Sequence, residues 1–275
     1  MLSPTRRPPL IPFAIAFLAL VGGCGGNGDS VVVGATTSLQ DSGILEELIA
    51  AFEDNSGYEV RPVVAGTGQV LELAGRGELD ITLTHSPADE ALLIEAAETI
   101  ERRTVMQNSF VLVGPKGDPA GVSSAGSLAE ALAAVAAAEA TFISRGDESG
   151  THVRELSAWE AAGIVPGGNS WYQESGVGQG QNLVIASDKA AYALTDTATF
   201  IVLRDRLDLV AYFTDPDRPN VYSAMLVNPD KHPEVADEAA RALLEFLVSA
   251  EGRRIIAEFG REEYGLPLFE LPSPD

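Results

Sequence analysis

Between Ile143 and His152 the chain concentrates the guanidinium of Arg145, the hydroxyls of Ser149 and Thr151, and the small residues Gly146 and Gly150. Those residue types suit an oxyanion. A planar guanidinium fork donates charge-assisted hydrogen bonds to two oxygens at once. Hydroxyls and unpaired N–H groups at a helix start add further donors, and the helix dipole favours negative charge there. Nothing beside them points to catalysis. His85, His152 and His232 lack the His-x-x-x-His spacing of a metal site. There is no Gly-x-Ser-x-Gly elbow and no Ser-His-Asp trio. The expectation is a binding protein rather than an enzyme, without cofactor or resident metal.

The elements around this stretch explain how it could face a ligand. Residues 140–143 read as a strand and residues 151–162 as an amphipathic helix, so the motif is a strand-to-helix turn. Two further turns have the same form. Residues 31–35 read as a strand, followed by Thr36, Thr37, Ser38, Gln40, Asp41 and Ser42. A helical face of Leu45, Leu48, Ile49 and Phe52 comes next, with Asp41 or Ser42 expected to cap it. Residues 58–64 form the next expected strand, ahead of Gly66, Thr67, Gly68 and Gln69. Residues 79–84 follow as a strand ending at His85.

Farther along, residues 105–113, 191–195, 207–213 and 221–227 read as strands. Residues 87–99, 127–138, 182–187, 197–203 and 235–248 read as helices. Trp159 is expected in the core. The Gly-rich residues 176–181 lack the Gly-Lys-Ser/Thr of a phosphate loop and are expected as a loop near a cleft. Alternating strands and helices predict an α/β fold with largely parallel sheets. Ligands in such folds bind at strand C-termini, where all three turns lie.

The N-terminus predicts export. Arg6 and Arg7 precede apolar residues 10–21, a run shorter than the ~20 residues that span a bilayer. Val21-Gly22-Gly23-Cys24 resembles a bacterial lipobox, and Cys24 is the chain's one cysteine. Residues 1–23 are therefore expected as a lipoprotein signal peptide, Cys24 as the lipidated residue and residues 24–30 as a flexible tether. The net charge of −22, from 40 acidic and 18 basic residues, argues against nucleic acid and anionic membrane surfaces as partners. A local donor cluster still holds an anion, because exposed charges beyond ~10 Å are screened in 0.1 M salt.

With these pieces in place, the chain resembles the type II solute-binding proteins of bacterial ABC transporters, and among them the tungstate-binding proteins. The matching residues are Thr36-Thr37-Ser38 with Gln40 to Gly43, Gly66 to Gln69, Asp80 to His85, residues 108–119, Ile143 to His152 and residues 185–196. The resemblance implies two Rossmann-like lobes joined by a two-strand hinge. Residues 31–111 with 226–275 would make one lobe and residues 112–225 the other. It implies that Arg145 supplies positive charge, oriented by Asp147. Ser149, Gly150 and Thr151 would donate from one helix start, Thr37 and Ser38 from the opposite lobe, and Thr67 and Gly68 from the third turn. His85 and His152 would stand behind them.

The implied function is an extracytoplasmic, lipid-anchored, monomeric protein that hands tungstate to a permease with its ATPase. Molybdate, phosphate or sulfate binding on the same fold is the alternative. A hydrolase, or an adhesion lipoprotein using Arg145-Gly146-Asp147, is a more distant one. Phosphate is expected to be rejected, because its remaining O–H requires an acceptor that a donor-only site does not offer.

Overall fold

The computed structural model describes residues 29–272, apart from the side chains of residues 216 and 217. The expected signal peptide, Cys24 and most of the tether lie outside the described residues. Among those described, no helix is long and apolar enough to cross a membrane.

The described chain opens with β1 (Ser30–Thr36), α1 (Thr37–Ser42) and α2 (Ile44–Ser56). Val31, Val33 and Ala35 are buried on one side of β1 against Leu45, Leu48 and Phe52 of α2. Val32 packs on the other side with Val70 and Leu79. This is the two-residue period of a strand covered on both faces. Gly43, at φ 85°, separates the two helices, and its N–H returns to the Gln40 carbonyl. A residue without Cβ adopts that left-handed backbone at little cost. The separation corrects two expectations. Residues 37–42 are a helix rather than a polar turn, and neither Asp41 nor Ser42 caps α2, whose N-cap is Gly43. Ser42 Oγ donates back to the Leu39 carbonyl at 3.0 Å.

Next come β2 (Glu59–Ala65), α3 (Thr67–Gly75), β3 (Ile81–Thr84), α4 (Pro87–Glu95) and the long β4 (Thr99–Pro115). The second half holds α5 (Leu128–Ala137), β5 (Phe142–Ser144), α6 (Gly150–Ala161), β6 (Tyr172–Glu174), α7 (Gln179–Asp188), β7 (Ala193–Asp196) and α8 (Thr197–Leu203). The chain then returns along β8 (Leu209–Val227) and ends in α9 (Asp237–Val248), α10 (Ala250–Glu258) and α11 (Arg261–Tyr264).

The main sheet has the order β2-β1-β3-β8-β4-β7. β1 pairs in parallel with β2 and β3, while β8 is antiparallel to β3 and β4, and β7 to β4. β5 and β6 pair in parallel, and Phe142 bridges to Tyr192 beside β7. The sheet is therefore mixed, a correction to the largely parallel expectation. β8 is also one strand where the sequence reads two. Its ladder to β4 steps from Ser109↔Pro219 to Val111↔Thr214, so a β-bulge takes up the residues between without ending the pairing.

β4 and β8 run through both halves as antiparallel partners, with Asn108 opposite Asn220. Toward their outer ends, Phe110 and Leu112 of β4 enter one apolar cluster, and Val111 and Val113 enter another. Trp159 is buried in the first of these. Each half thus has helices and a core on both faces of its strands, an α/β fold of two lobes with a two-strand connection.

Candidate functional site

The three expected turns all fall at strand C-termini, where β1, β2 and β5 lead into α1, α3 and α6. Neither α1 nor α3 has a side-chain cap, so their first-turn N–H groups keep their donor capacity. α6 is capped by Ser149, whose Oγ accepts from the His152 N–H at 3.3 Å. The turn ahead of it holds Gly146 at φ 60° and Glu148 at φ 56°. For a glutamate that left-handed conformation costs ~1 kcal/mol, and such strain is tolerated where surrounding contacts hold the chain.

Arg145 leaves this turn and is 2% exposed. Its Nε and Nη2 donate to Asp147 Oδ2, its Nη1 to Gln179 Oε1 at 2.5 Å and its Nη2 to Thr37 Oγ1 at 3.4 Å. These bonds use four of the five N–H hydrogens of the guanidinium. Asp147 uses both of its oxygens, since its Oδ1 accepts from the Ser149 N–H at 3.2 Å. Thr37 comes from the first half and Gln179 from the second, so the guanidinium lies where the halves meet.

The two halves approach closely along this line. A Cβ at Gly150 would lie 2.4 Å from the His85 carbonyl oxygen. One at Gly66 would lie 3.1 Å from Asp147 Oδ2, and one at Gly68 would lie 3.3 Å from the Glu148 Cβ. Thr67 and Thr151, flanked by these glycines, are fully buried, and their Oγ1 atoms have no hydrogen-bond partner. Buried hydroxyls are ordinarily satisfied, and these two stand at facing helix starts.

Other expected residues are placed differently. The Ser38 hydroxyl is bonded to Thr36 Oγ1 at 3.1 Å and to the Tyr222 hydroxyl at 3.0 Å, which leaves its backbone N–H for a ligand. His85 stacks on Tyr222 at 4.9 Å and joins its Nδ1 to Asn220 Oδ1 at 2.7 Å. Burial pushes its pKa down to about 4, so the ring is neutral at pH 7. His152 Nδ1 accepts the Glu148 N–H at 3.1 Å. That bond assigns the proton to Nε2, which is buried without a partner.

Sequence reasoning missed several residues. Asn220 Nδ2 donates to Asn108 Oδ1 at 2.8 Å and to the Tyr222 hydroxyl at 2.9 Å, and Asn108 Nδ2 donates to Asp196 Oδ1 at 2.9 Å. Asp196 also accepts from the N–H and hydroxyl of Thr199, and burial raises its pKa. This polar chain underlies the site where β4 and β8 pair. The signal was faint, because Asn108 and Asn220 stand among other polar residues of β4 and β8. Gln179 was also missed, because residues 176–181 were expected as a loop, whereas α7 begins at Gln179.

Glu155, one helical turn after Thr151, is 1% exposed. Its Oε1 accepts from Trp159 Nε1 at 3.1 Å and from the Tyr172 hydroxyl at 2.8 Å. Burial outweighs these bonds and raises its pKa from 4.5 to about 7. A group with a raised folded pKa contributes stability that is complete below 4.5 and is lost as pH rises through 7. Over that interval the loss is ~3 kcal/mol at most. His85 has the opposite sign, since its contribution is complete above 6.5 and is lost as pH falls toward 4. Urea unfolding of Glu155→Gln at pH 5 and pH 8 isolates the first effect. The variant is expected to gain stability over the parent at pH 8, with little gain at pH 5.

Comparison with known proteins bears on the family and the fold. A protein-family profile described as a PBP superfamily domain matches residues 25–251. The tungstate-binding protein TupA of Peptoclostridium acidaminophilum is 38% identical over 243 residues, covering 87% of this chain and 85% of that protein. A structure described as the tungstate ABC transporter from Geobacter sulfurreducens is 40% identical, with a TM-score of 0.77, covering 84% of this chain and 99% of that one. The tungstate-binding protein TupA from Desulfovibrio alaskensis G20 is 33% identical, with a TM-score of 0.73 and coverages of 89% and 99%.

Proposed function

This chain belongs to the PBP superfamily, in the family of the tungstate-binding proteins, and from that premise we propose that it captures a tetrahedral oxyanion, tungstate first, between its lobes for an ABC importer. The observation that carries the reading is the buried guanidinium of Arg145. It is held where the halves meet, beside two helix starts whose threonine hydroxyls lack partners. Arg145 supplies charge and Asp147 orients it. Ser149, Gly150 and Thr151 donate from α6, Thr37 and the backbone of Ser38 from α1, and Thr67 and Gly68 from α3. His152 braces the turn through Glu148, and the His85 carbonyl sets how closely α6 approaches.

Selectivity against phosphate follows from the same bonds. Both oxygens of Asp147 already accept from N–H donors, so the proton of monohydrogen phosphate would have to compete with Arg145 and the Ser149 N–H for the one anionic acceptor beside the guanidinium. A fully deprotonated dianion such as tungstate or molybdate has no such mismatch.

The register supports lobes that meet at Asn108 and Asn220, because Ser223 to Leu226 pair with β3 of the first lobe. Lipid attachment through Cys24 would then hold the protein on the outer face of the membrane, near its permease.

A thermal-shift panel of tungstate, molybdate, sulfate, phosphate and chromate tests the reading. Tungstate and molybdate are expected to raise the melting temperature by several degrees and phosphate to leave it unchanged. A ligand at about 1,000 times its Kd adds ~4 kcal/mol to the native state. A panel in which no oxyanion shifts the transition would overturn the proposal.

A further inference from the structure

α7 is ten residues long, and Gly178 at its N-cap provides no side chain to cap it. The first two N–H groups of such a helix need acceptors. Here both acceptors come from α1, on the other lobe. Gln179 N–H donates to Thr37 Oγ1 at 3.2 Å, and Gly180 N–H donates to Asp41 Oδ2 at 2.7 Å. Thr37 and Asp41 are four residues apart, so one face of α1 presents both to the end of α7. The approach is tight at the two glycines that flank Gln179. A Cβ at Gly178 would lie 3.2 Å from Thr37 Cγ2, and one at Gly180 would lie 3.1 Å from Asp41 Cγ.

What α1 caps is also what holds the guanidinium. Gln179, the first residue of α7, accepts from Arg145 Nη1 through Oε1. Its amide is fixed in that sense because its Nε2 donates to Thr195 Oγ1 at 2.6 Å. Thr37 Oγ1 takes the Gln179 N–H and an Arg145 N–H together.

We propose that Asp41 is a positioning residue: it caps α7 across the lobe boundary and thereby holds Gln179 against Arg145 only while the lobes are together. The inference rests on the oxyanion reading above and adds a consequence for kinetics. Separation of the lobes uncaps α7 and loosens one holder of the guanidinium in the same movement. The acceptor on Asp41 therefore slows ligand release and leaves capture unaffected.

The experiment compares the parent protein with Asp41→Ala and Asp41→Asn. Sodium tungstate association and release are measured by stopped flow, and ligand-free radii by small-angle X-ray scattering. Asp41→Ala is expected to release tungstate about tenfold faster, the worth of one lost cap, with association within about twofold. Its ligand-free radius of gyration is expected to exceed that of the parent. Asp41→Asn keeps a carbonyl acceptor for the Gly180 N–H and is expected to stay within about threefold of the parent release rate. Release from Asp41→Ala at the parental rate would overturn the proposal. So would an asparagine variant as impaired as the alanine one, because the charge rather than the acceptor would then matter.

If Asp41→Ala does not fold, Gly180→Ala presses a methyl on the same carboxylate and is read in the same way. Failure of the oxyanion reading is recognised separately, by a parent protein that binds no tungstate. In that event scattering still decides, and equal radii for the parent and Asp41→Ala reject the cap.

Discussion

Arg145→Ala is expected to abolish tungstate binding in calorimetry at neutral pH, a loss of about 10³-fold or more. The substitution does more than remove one charge. The guanidinium is 2% exposed and bonded to Asp147, Gln179 and Thr37, so its loss strips three neighbours of a donor. Asp147, whose side chain is 17% exposed, would then be a nearly buried carboxylate facing a dianion without a countercharge. Truncating one partner of a buried, hydrogen-bonded charge pair costs ~2–5 kcal/mol, much of it from the partner left behind. Arg145→Lys separates charge from geometry. An ammonium keeps the positive charge but cannot reach Asp147, Gln179 and Thr37 in one plane, so most of the affinity is still expected to be lost. Near-parental affinity in the alanine variant would refute the assignment.

Gly150→Ala is expected to weaken tungstate binding about 100-fold although it removes no donor, and to lower stability by ~1–3 kcal/mol. The added Cβ would lie 2.4 Å from the His85 carbonyl oxygen and 2.7 Å from His85 Nδ1. Neither atom yields easily. The first belongs to the backbone at the end of β3, and the second is bonded to Asn220. The start of α6 must therefore move away from the first lobe, carrying Ser149 and Thr151 with it. Helix propensity works in the opposite direction, since alanine is the better helix former. A loss of binding accompanied by unchanged helix content in circular dichroism would identify lobe approach as the cause. An alanine variant with parental affinity would mean that the close approach at Gly150 is unimportant for the ligand.

The two variants probe different levels of the chain. Arg145, Ser149 and Thr151 were legible as a group because they lie within one strand-to-helix turn, and a helix start after a buried strand has the same donor chemistry in any fold. The α/β class was legible from the alternation of strand and helix, and the two lobes from the family resemblance. Thr67 was a weaker signal, since a Gly-Thr-Gly turn is common. Its significance comes from a buried hydroxyl without a partner, which no local pattern contains.

Other features were misread for reasons of context. Asp41 looked like a cap because Asp before an apolar helical run usually is one. Gly43 takes that position instead, and the carboxylate turns to a helix 139 residues away in sequence. Gln179 was read into a loop because glycines on both sides suggested one. Those glycines are there because α1 packs against the end of α7. Residues 207–213 and 221–227 read as two strands, whereas the pairing with β4 resumes beyond the bulge and makes them one.

By itself, the sequence determined the chemistry on offer: a guanidinium, hydroxyls and helix N-termini at strand ends, set in an acidic two-lobed α/β chain. Those are short-range facts, written in residue type and spacing. Only the tertiary structure decided which donors converge, which are already engaged, and that one lobe caps a helix of the other. Such pairings join residues more than a hundred positions apart, and local patterning does not encode which distant partner arrives.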